Sequence, residues 1–460
     1  MGMTSYCLVI KANGYTAHSA NDINYLENNL ICINKSGYIV KIYSPDDEAY
    51  CKVQSFALDN GLLYELKPGQ YLLPGFIDLH IHAPQWVNMG KALDRPLEQW
   101  LQEYTFPLES RYADLNFAKE NYQHLVHTLL ANGTTTAVYF ATIHREASIE
   151  LGRICLALGQ RALIGKVSMD DREFCPEYYR DDSSKSAIEE TRLFINQLRE
   201  LSGNEENRIL PVITPRFVPT CTPELLAGLG ELARETNCHV QTHCSESDWE
   251  HNFVISRYGI TDSHVLNDFG LMTRKTILAH GNFITDDDMD LIRNRHSGIA
   301  HCPLSNFYFA NCIFPLRIAL NKNIHTGLGS DISAGYSPSI FEACRHAITA
   351  SKALNDGVNS MLSNEKRGNQ GSAITFKEAF WLATGGGGQV LDLPVGQLKE
   401  GFFFDAIVID TNIFGSDIFI QNDDVPLDIL QKIIYNTQRV NIIDVWVGGK
   451  KVMFNNKLDS

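Results

Sequence analysis

Residues 74–82 read Pro-Gly-Phe-Ile-Asp-Leu-His-Ile-His, which places His80 and His82 at alternate positions of an apolar run. Side chains of a β-strand alternate between its two faces, so these imidazoles point the same way and can share one ion. Neutral imidazole is a favoured zinc ligand, and a hydrolytic zinc site joins a few such ligands to an open position that holds water. A lone His-x-His is more often a half-buried pair in ordinary hydrogen bonds, and the case for a metal rests on partners farther along the chain. Thr242-His243-Cys244-Ser245-Glu246, Ala279-His280-Gly281 and Gly329-Ser330-Asp331 each close or follow another apolar run. Four histidines and an aspartate on four run ends are hard to explain as separate packing choices; together they predict a metal site. Cys244 and Cys302 offer thiols, but no Cys-x-x-Cys pair occurs, and the nitrogen and oxygen set already suffices for a hydrolytic ion.

Glu246 lies three residues beyond His243, where it can take a proton from an activated water and return it to a leaving amine, the double duty that deamination requires. Its plain alternative is a solvated loop glutamate, since Asp248 and Glu250 follow. Asp331 suits two roles, as ligand and as acceptor of the water's second proton. His280 is either a fifth ligand or a hydrogen-bond partner of the attacking water, and the second is the better reading. His301 also ends a run, but Pro303 beside it signals a turn, which leaves it a supporting or packing role.

Elements that bring such residues together are visible in the punctuation. Eight apolar runs, Gly75–His82, Thr134–Phe140, Ala162–Val167, Ile209–Thr214, His239–His243, Thr276–His280, Gly298–His301 and His325–Gly329, alternate with longer segments of helical period. Repeated strand-helix units of this kind predict a parallel sheet, and eight of them predict a closed (β/α)8 TIM-type barrel. Barrel active sites are assembled on the rim at the C-terminal strand ends, where these candidates fall. Residues 4–73 and roughly 400–457 show short strand-like segments without a long helical pattern, including a strand, a Gly448-Gly449 turn and a second strand at 442–454. The expected division is therefore 1–73 and 400–460 as two parts of a small β-sandwich, with 74–399 as the barrel. Gly385–Gly388 lacks the Lys-Ser/Thr ending of a phosphate loop and is expected to be a tight turn after a helix.

The chain has 460 residues, ample for a large domain and an accessory one. Its 39 Lys and Arg against 54 Asp and Glu leave a formal charge of −15, so no broad basic surface is available for nucleic acid. No apolar stretch is long enough to span a bilayer, and Cys7-Leu8-Val9-Ile10, cut short by Lys11, reads as a strand rather than a signal peptide. Eleven cysteines without a compact spacing pattern suit reduced thiols used for packing, hence a cytoplasmic protein.

These motifs, in this order, resemble the amidohydrolase superfamily: 74–82, His243 with Glu246, His280, His301-Cys-Pro-Leu-Ser-Asn306 and Gly329-Ser-Asp331. Within it the chain is similar to the guanine deaminase family through Trp100-Leu-Gln-Glu-Tyr-Thr-Phe-Pro107, Asn132-Gly-Thr-Thr-Thr136, Tyr139-Phe-Ala-Thr-Ile-His144, Gly165-Lys-Val-Ser-Met-Asp170 and Thr214-Pro-Arg-Phe217. The resemblance implies one zinc ion per subunit on His80, His82, His243 and Asp331, with Glu246 and His280 handling protons and water. It also implies a homodimer and a purine base, guanine, as substrate. Ala83, Pro84 and Gln85 would lie against the purine, Arg216 would bind its carbonyl and Phe217 would pack its ring, beside His82, His243, Glu246 and Asp331. Outside this setting Arg216 reads as a surface ion pair and Phe217 as core. Pro84 departs mildly from the pattern, because its side chain cannot hydrogen-bond. Rival readings are deamination or dechlorination of another nitrogen heterocycle, such as a triazine or an adenosine-related nucleoside, a two-metal amidase using Lys166, and a barrel scaffold without chemistry.

Overall fold

The structure, a computed structural model, describes residues 6–454 and 457–458; residues 1–5, 455–456 and 459–460, at the margins of the two expected terminal segments, lie outside it. The chain opens with the antiparallel strands β1 (Tyr6–Ser19), β2 (Asp22–Asn34) and β3 (Ile39–Tyr43), then the short β4 (Leu63–Glu65) and β5 (Gln70–Pro74). Eight strands follow: β6 (Phe76–His82), β7 (Thr134–Phe140), β8 (Arg161–Ser168), β9 (Ile209–Pro215), β10 (His239–Cys244), β11 (Thr276–His280), β12 (Gly298–His301) and β13 (His325–Leu328). Each of the eight expected runs is a strand, because strands covered by helices on one face and filled core on the other are apolar on both. Four more, β14 (Ala406–Asp410), β15 (Ile442–Val447), β16 (Lys450–Phe454) and β17 (Lys457–Leu458), complete the chain.

β6 to β13 pair in sequence order as one parallel eight-stranded sheet. The seam between β13 and β6 is stitched beyond the end of β13: Asp331 N–H donates to His80 O at 2.9 Å and His82 N–H to Ile332 O at 2.6 Å. Barrel closure and placement of the candidate ligands are thus one feature. The remaining strands form a nine-stranded sheet in the order β17-β16-β15-β14-β5-β1-β2-β3, with β4 beside β1. Its centre joins the two ends of the chain, β14 running antiparallel to β5, and Ile10, Ile31, Leu72, Phe404, Val408 and Trp446 fill its interior.

Three local features differ from expectation. The helix Tyr50–Asp59 lies in the N-terminal segment, covering Val9 and Leu30 with Tyr50, Val53 and Ala57; three apolar positions at helical spacing are too faint a signal among flanking strands. The helix Pro426–Asn436 lies likewise in the C-terminal segment, burying Leu430, Ile433 and Ile434. Gly385–Gly388 is not a turn but the first turn of the helix Gly385–Leu391. A Cβ at Gly387 would lie 2.8 Å from Ile77 Cβ, and one at Gly388 2.2 Å from Val395 O. Close approach to the barrel, not chain reversal, requires these glycines, and the helix closes the barrel's N-terminal end with Val390 and Leu391 against Ile77, Leu79 and Val212.

All eleven cysteines are free, eight of them buried, which fits packing. Among the described residues no helix is long and apolar enough to cross a membrane.

Candidate active site

The rim residues converge. His82 Nε2 lies 3.0 Å from His243 Nε2, and Asp331 Oδ1 lies 3.2 Å from His80 Nε2 and 3.5 Å from His82 Nε2. Glu246 Oε1 lies 3.7 Å from His280 Nε2. The contributors come from β6, β10 and the loop after it, β11 and the loop after β13; two of them, His280 (φ 72°) and Asp331 (φ 52°), adopt the left-handed region, as does Ser245 (φ 48°) between His243 and Glu246. That conformation costs a residue with a Cβ about 1–3 kcal/mol and concentrates at functional sites.

Neighbouring groups fix which atoms face inward. The His243 Nδ1 lies 2.7 Å from Arg216 O and that of His280 lies 2.8 Å from Asn306 Oδ1. Both partners accept, so each Nδ1 carries the proton and each Nε2 presents a lone pair to the cluster. Asp78 accepts from Ser330 N–H at 2.9 Å and His80 N–H at 3.3 Å, tying β6 to the loop that carries Asp331. Burial, followed by neighbouring charge, holds His80, His82 and His243 well below the usual histidine range. Burial pushes the carboxyl of Asp331 up to about 6, and burial together with the Asp331 charge pushes Glu246 well above the carboxylate range.

His80 Nε2, His280 Nε2 and Asp331 Oδ1 are all buried without a hydrogen-bond partner. Acceptors facing one another across roughly 3 Å fit a shared cation, not hydrogen bonding. His80, His82 and His243, and His80, His280 and Asp331, form overlapping groups able to hold a metal ion. The donor set of imidazole nitrogens and carboxylate oxygen suits zinc chemistry.

Beside the cluster lies a cavity lined by His82, His243, Glu246 and Asp331 together with Gln85, Arg216, Phe217, Leu97, Trp100 and Leu101. A small concave site with few polar groups in an apolar wall is the usual form of a small-molecule pocket.

The Amidohydrolase family pattern matches residues 71–452. The chain belongs to the amidohydrolase family. It is 40% identical to a probable guanine deaminase of Schizosaccharomyces pombe over 86% of this chain and 74% of that one. To a guanine deaminase of Dictyostelium discoideum it is 38% identical, over 94% of this chain and 95% of the relative. The structure of a guanine deaminase from C. acetobutylicum with bound guanine superposes with a TM-score of 0.84 at 32% identity, covering 97% of this chain and all of that one.

In this amidohydrolase the expected contact residues divide. Gln85, Arg216 and Phe217 line the cavity, and Phe217 stands edge-on to His243 with ring centroids 6.0 Å apart. Ala83 and Pro84 are buried but do not line it: they open the tight turn Ala83–Asn88, and Ala83 joins the apolar core. Arg216 is no surface residue; it is 2% exposed and paired with Glu109 at 2.7 Å. His301 is buried outside the cluster, its ring tilted against Phe314. Lys166, the residue a two-metal site would need, has its Nζ 3.3 Å from Asp181 and 3.0 Å from Val167 O. Sequence reasoning passed over Glu109 and gave Asn306 no role of its own. The available signal for Glu109 was an acidic residue following the apolar Phe106-Pro107-Leu108.

Proposed function

We propose that this amidohydrolase hydrolyses guanine to xanthine and ammonia, using one zinc ion per subunit held by His80, His82, His243 and Asp331. The observation that carries the reading is a cavity lined both by His82, His243, Glu246 and Asp331 of the cluster and by Arg216, Gln85 and Phe217, in a chain of which nearly all aligns with guanine deaminases. Bound zinc supplies the Lewis acidity that makes a water nucleophilic near pH 7.

The chain's own groups supply the rest. Glu246 takes the proton of the attacking water and hands it to the departing amine, and burial, which pushes its carboxyl up, makes it hold a proton more readily than a solvated glutamate. Asp331 takes the second proton. His280, its Nδ1 committed to Asn306, positions the water through Nε2. Arg216 donates to the ring carbonyl and stabilises charge that grows there as the C–O bond forms and the C–N bond breaks. Phe217 packs on the ring, while Leu97, Trp100 and Leu101 keep bulk water out.

Three further points belong to the same proposal: the division at 1–73, 74–399 and 400–460, a homodimeric assembly, and a cytoplasmic location, which the free cysteines favour. The test is purified protein incubated with guanine, adenine, cytosine and a triazine, following ammonia release beside a zinc count. One zinc per chain and ammonia from guanine are expected. Two zincs, or release from a triazine alone, would overturn the reading, and no zinc with no turnover would revive the scaffold alternative.

A further inference from the structure

Glu109 is a buried carboxylate that gathers the two polar side chains of the cavity wall. Arg216 Nη1 and Nη2 donate to its Oε2 and Oε1 at 2.7 and 3.2 Å, and Gln85 Nε2 donates to the same Oε1 at 2.8 Å. A carboxylate held by a guanidinium only accepts, so it obliges Gln85 to turn its amide nitrogen toward it. The other end of that amide, Gln85 Oε1, is buried with no hydrogen-bond partner, in a residue that lines the cavity. Ser333 Oγ donates to Gln85 O at 2.6 Å and holds the backbone in place. Because Arg216 and Gln85 converge on one oxygen, they are neighbours, and two cavity-lining residues stand side by side, one able only to donate and one with an amide oxygen left to accept. A buried polar atom without a partner calls for an explanation, and an absent ligand is one.

We propose that Glu109 is a positioning residue that fixes the polarity of this pair, so that the cavity selects a ring edge carrying C=O beside N–H and rejects the reverse edge, an amine beside a bare ring nitrogen. The inference rests on the reading of the cavity as a purine site and deepens it. Guanine and 2,6-diaminopurine carry the same 2-amine but opposite edges, and hypoxanthine and adenine differ in the same way without that amine. A Glu109 that merely neutralised Arg216 would, on removal, weaken all four bases alike.

The experiment measures kcat/KM of the zinc-loaded protein for guanine and 2,6-diaminopurine, and calorimetric affinity for hypoxanthine and adenine. The wild-type protein is expected to prefer the C=O/N–H member of each pair by about tenfold or more, the worth of one charge-assisted hydrogen bond. Glu109→Gln, which lets the amide at position 85 turn over, removes the share of that preference that Gln85 supplies, while Arg216, which only donates, keeps its own share. The double exchange Gln85→Glu with Glu109→Gln restores it, because a carboxylate at position 85 again accepts from the ligand. Equal losses for both members of a pair, or a double exchange as unselective as Glu109→Gln, would overturn the proposal. Should Glu109→Gln not fold, Gln85→Met leaves the Arg216–Glu109 pair intact and must lower the preference to the share that Arg216 supplies; full retention overturns the proposal. A wild-type protein that prefers hypoxanthine to adenine yet releases no ammonia from guanine supports the polarity inference and sinks the catalytic one, whereas equal affinity for the two with ammonia released from guanine does the reverse.

Discussion

Single side chains in this site act through atoms that neighbours have already committed. Asn306 occupies Nδ1 of His280, which leaves Nε2 facing Glu246. Asn306→Leu removes that constraint without touching the cavity wall, and kcat for guanine is expected to fall about 10- to 100-fold, the usual cost of losing such an orienting partner. KM should hardly change, as steady-state kinetics would show. Glu246→Gln is isosteric but cannot shuttle protons; kcat should drop about 10²- to 10⁴-fold while zinc content stays at the wild-type level. Full turnover in that variant would remove Glu246 from the proposed chemistry. Glu109 was hard to find in the sequence because its partners Gln85 and Arg216 are 24 and 107 residues away, and the local signal, an acidic residue after Phe106-Pro107-Leu108, does not say which groups it meets.

Helices and strands show where local rules suffice and where close approach overrides them. Gly385–Gly388 has the composition of a loop, yet forms a helix because no other residue lets its backbone reach Ile77 and Val395. Gly388→Ala would normally favour a helix, but here its Cβ meets Val395 O at 2.2 Å. It should destabilise the protein by about 1–3 kcal/mol through overpacking, read as a lower urea midpoint. The helix Asp286–Arg295 shows the opposite case, a capping box of Thr285 and Asp288 that follows local rules. Burial pushes the Asp288 carboxyl up, but hydrogen bonds from Ser263, Thr261 and Thr285 outweigh it, and the folded value lies below the ordinary 3.8. A depressed folded value means that the stabilisation is complete above the unfolded value and is lost as pH falls through the folded one. Asp288→Asn should therefore be less stable than wild type at pH 7, and the difference should shrink in melts carried out progressively below about pH 4.

At the scale of the whole molecule, two couplings stand out. Arg161 at the start of β8 meets Asp405, which precedes β14, at 3.1 Å with both side chains almost fully buried, and Gly448 N–H donates to the same carboxylate at 2.6 Å. Breaking a buried pair by removing one partner costs about 3–5 kcal/mol. Arg161→Met should show that loss in a single unfolding transition if the two sheets fold as one unit, and two separated transitions would contradict such coupling. The second is between the rim and the fold: acceptors crowded at the barrel seam favour the folded state when a cation joins them. Zinc-loaded protein should melt above chelator-treated protein, by a margin that grows with free zinc and reaches about 4 kcal/mol at a thousandfold excess over Kd.

The sequence alone determined the eight strands and that His80, His82, His243, His280, Glu246 and Asp331 stand at strand ends on one rim. Each of these is written locally, in strand-length apolar runs and in the residues that end them, and the period of a strand already decides that His80 and His82 share a face. Only the tertiary structure decided which atoms of those residues face one another, that Ala83 and Pro84 stand back while Gln85 reaches the cavity, that Arg216 is buried on Glu109, and that a run of glycines is a helix. Those outcomes depend on contacts between segments far apart in the chain. Local propensity is blind to such contacts, because a side chain's partners are set by how the elements pack and not by its neighbours in sequence.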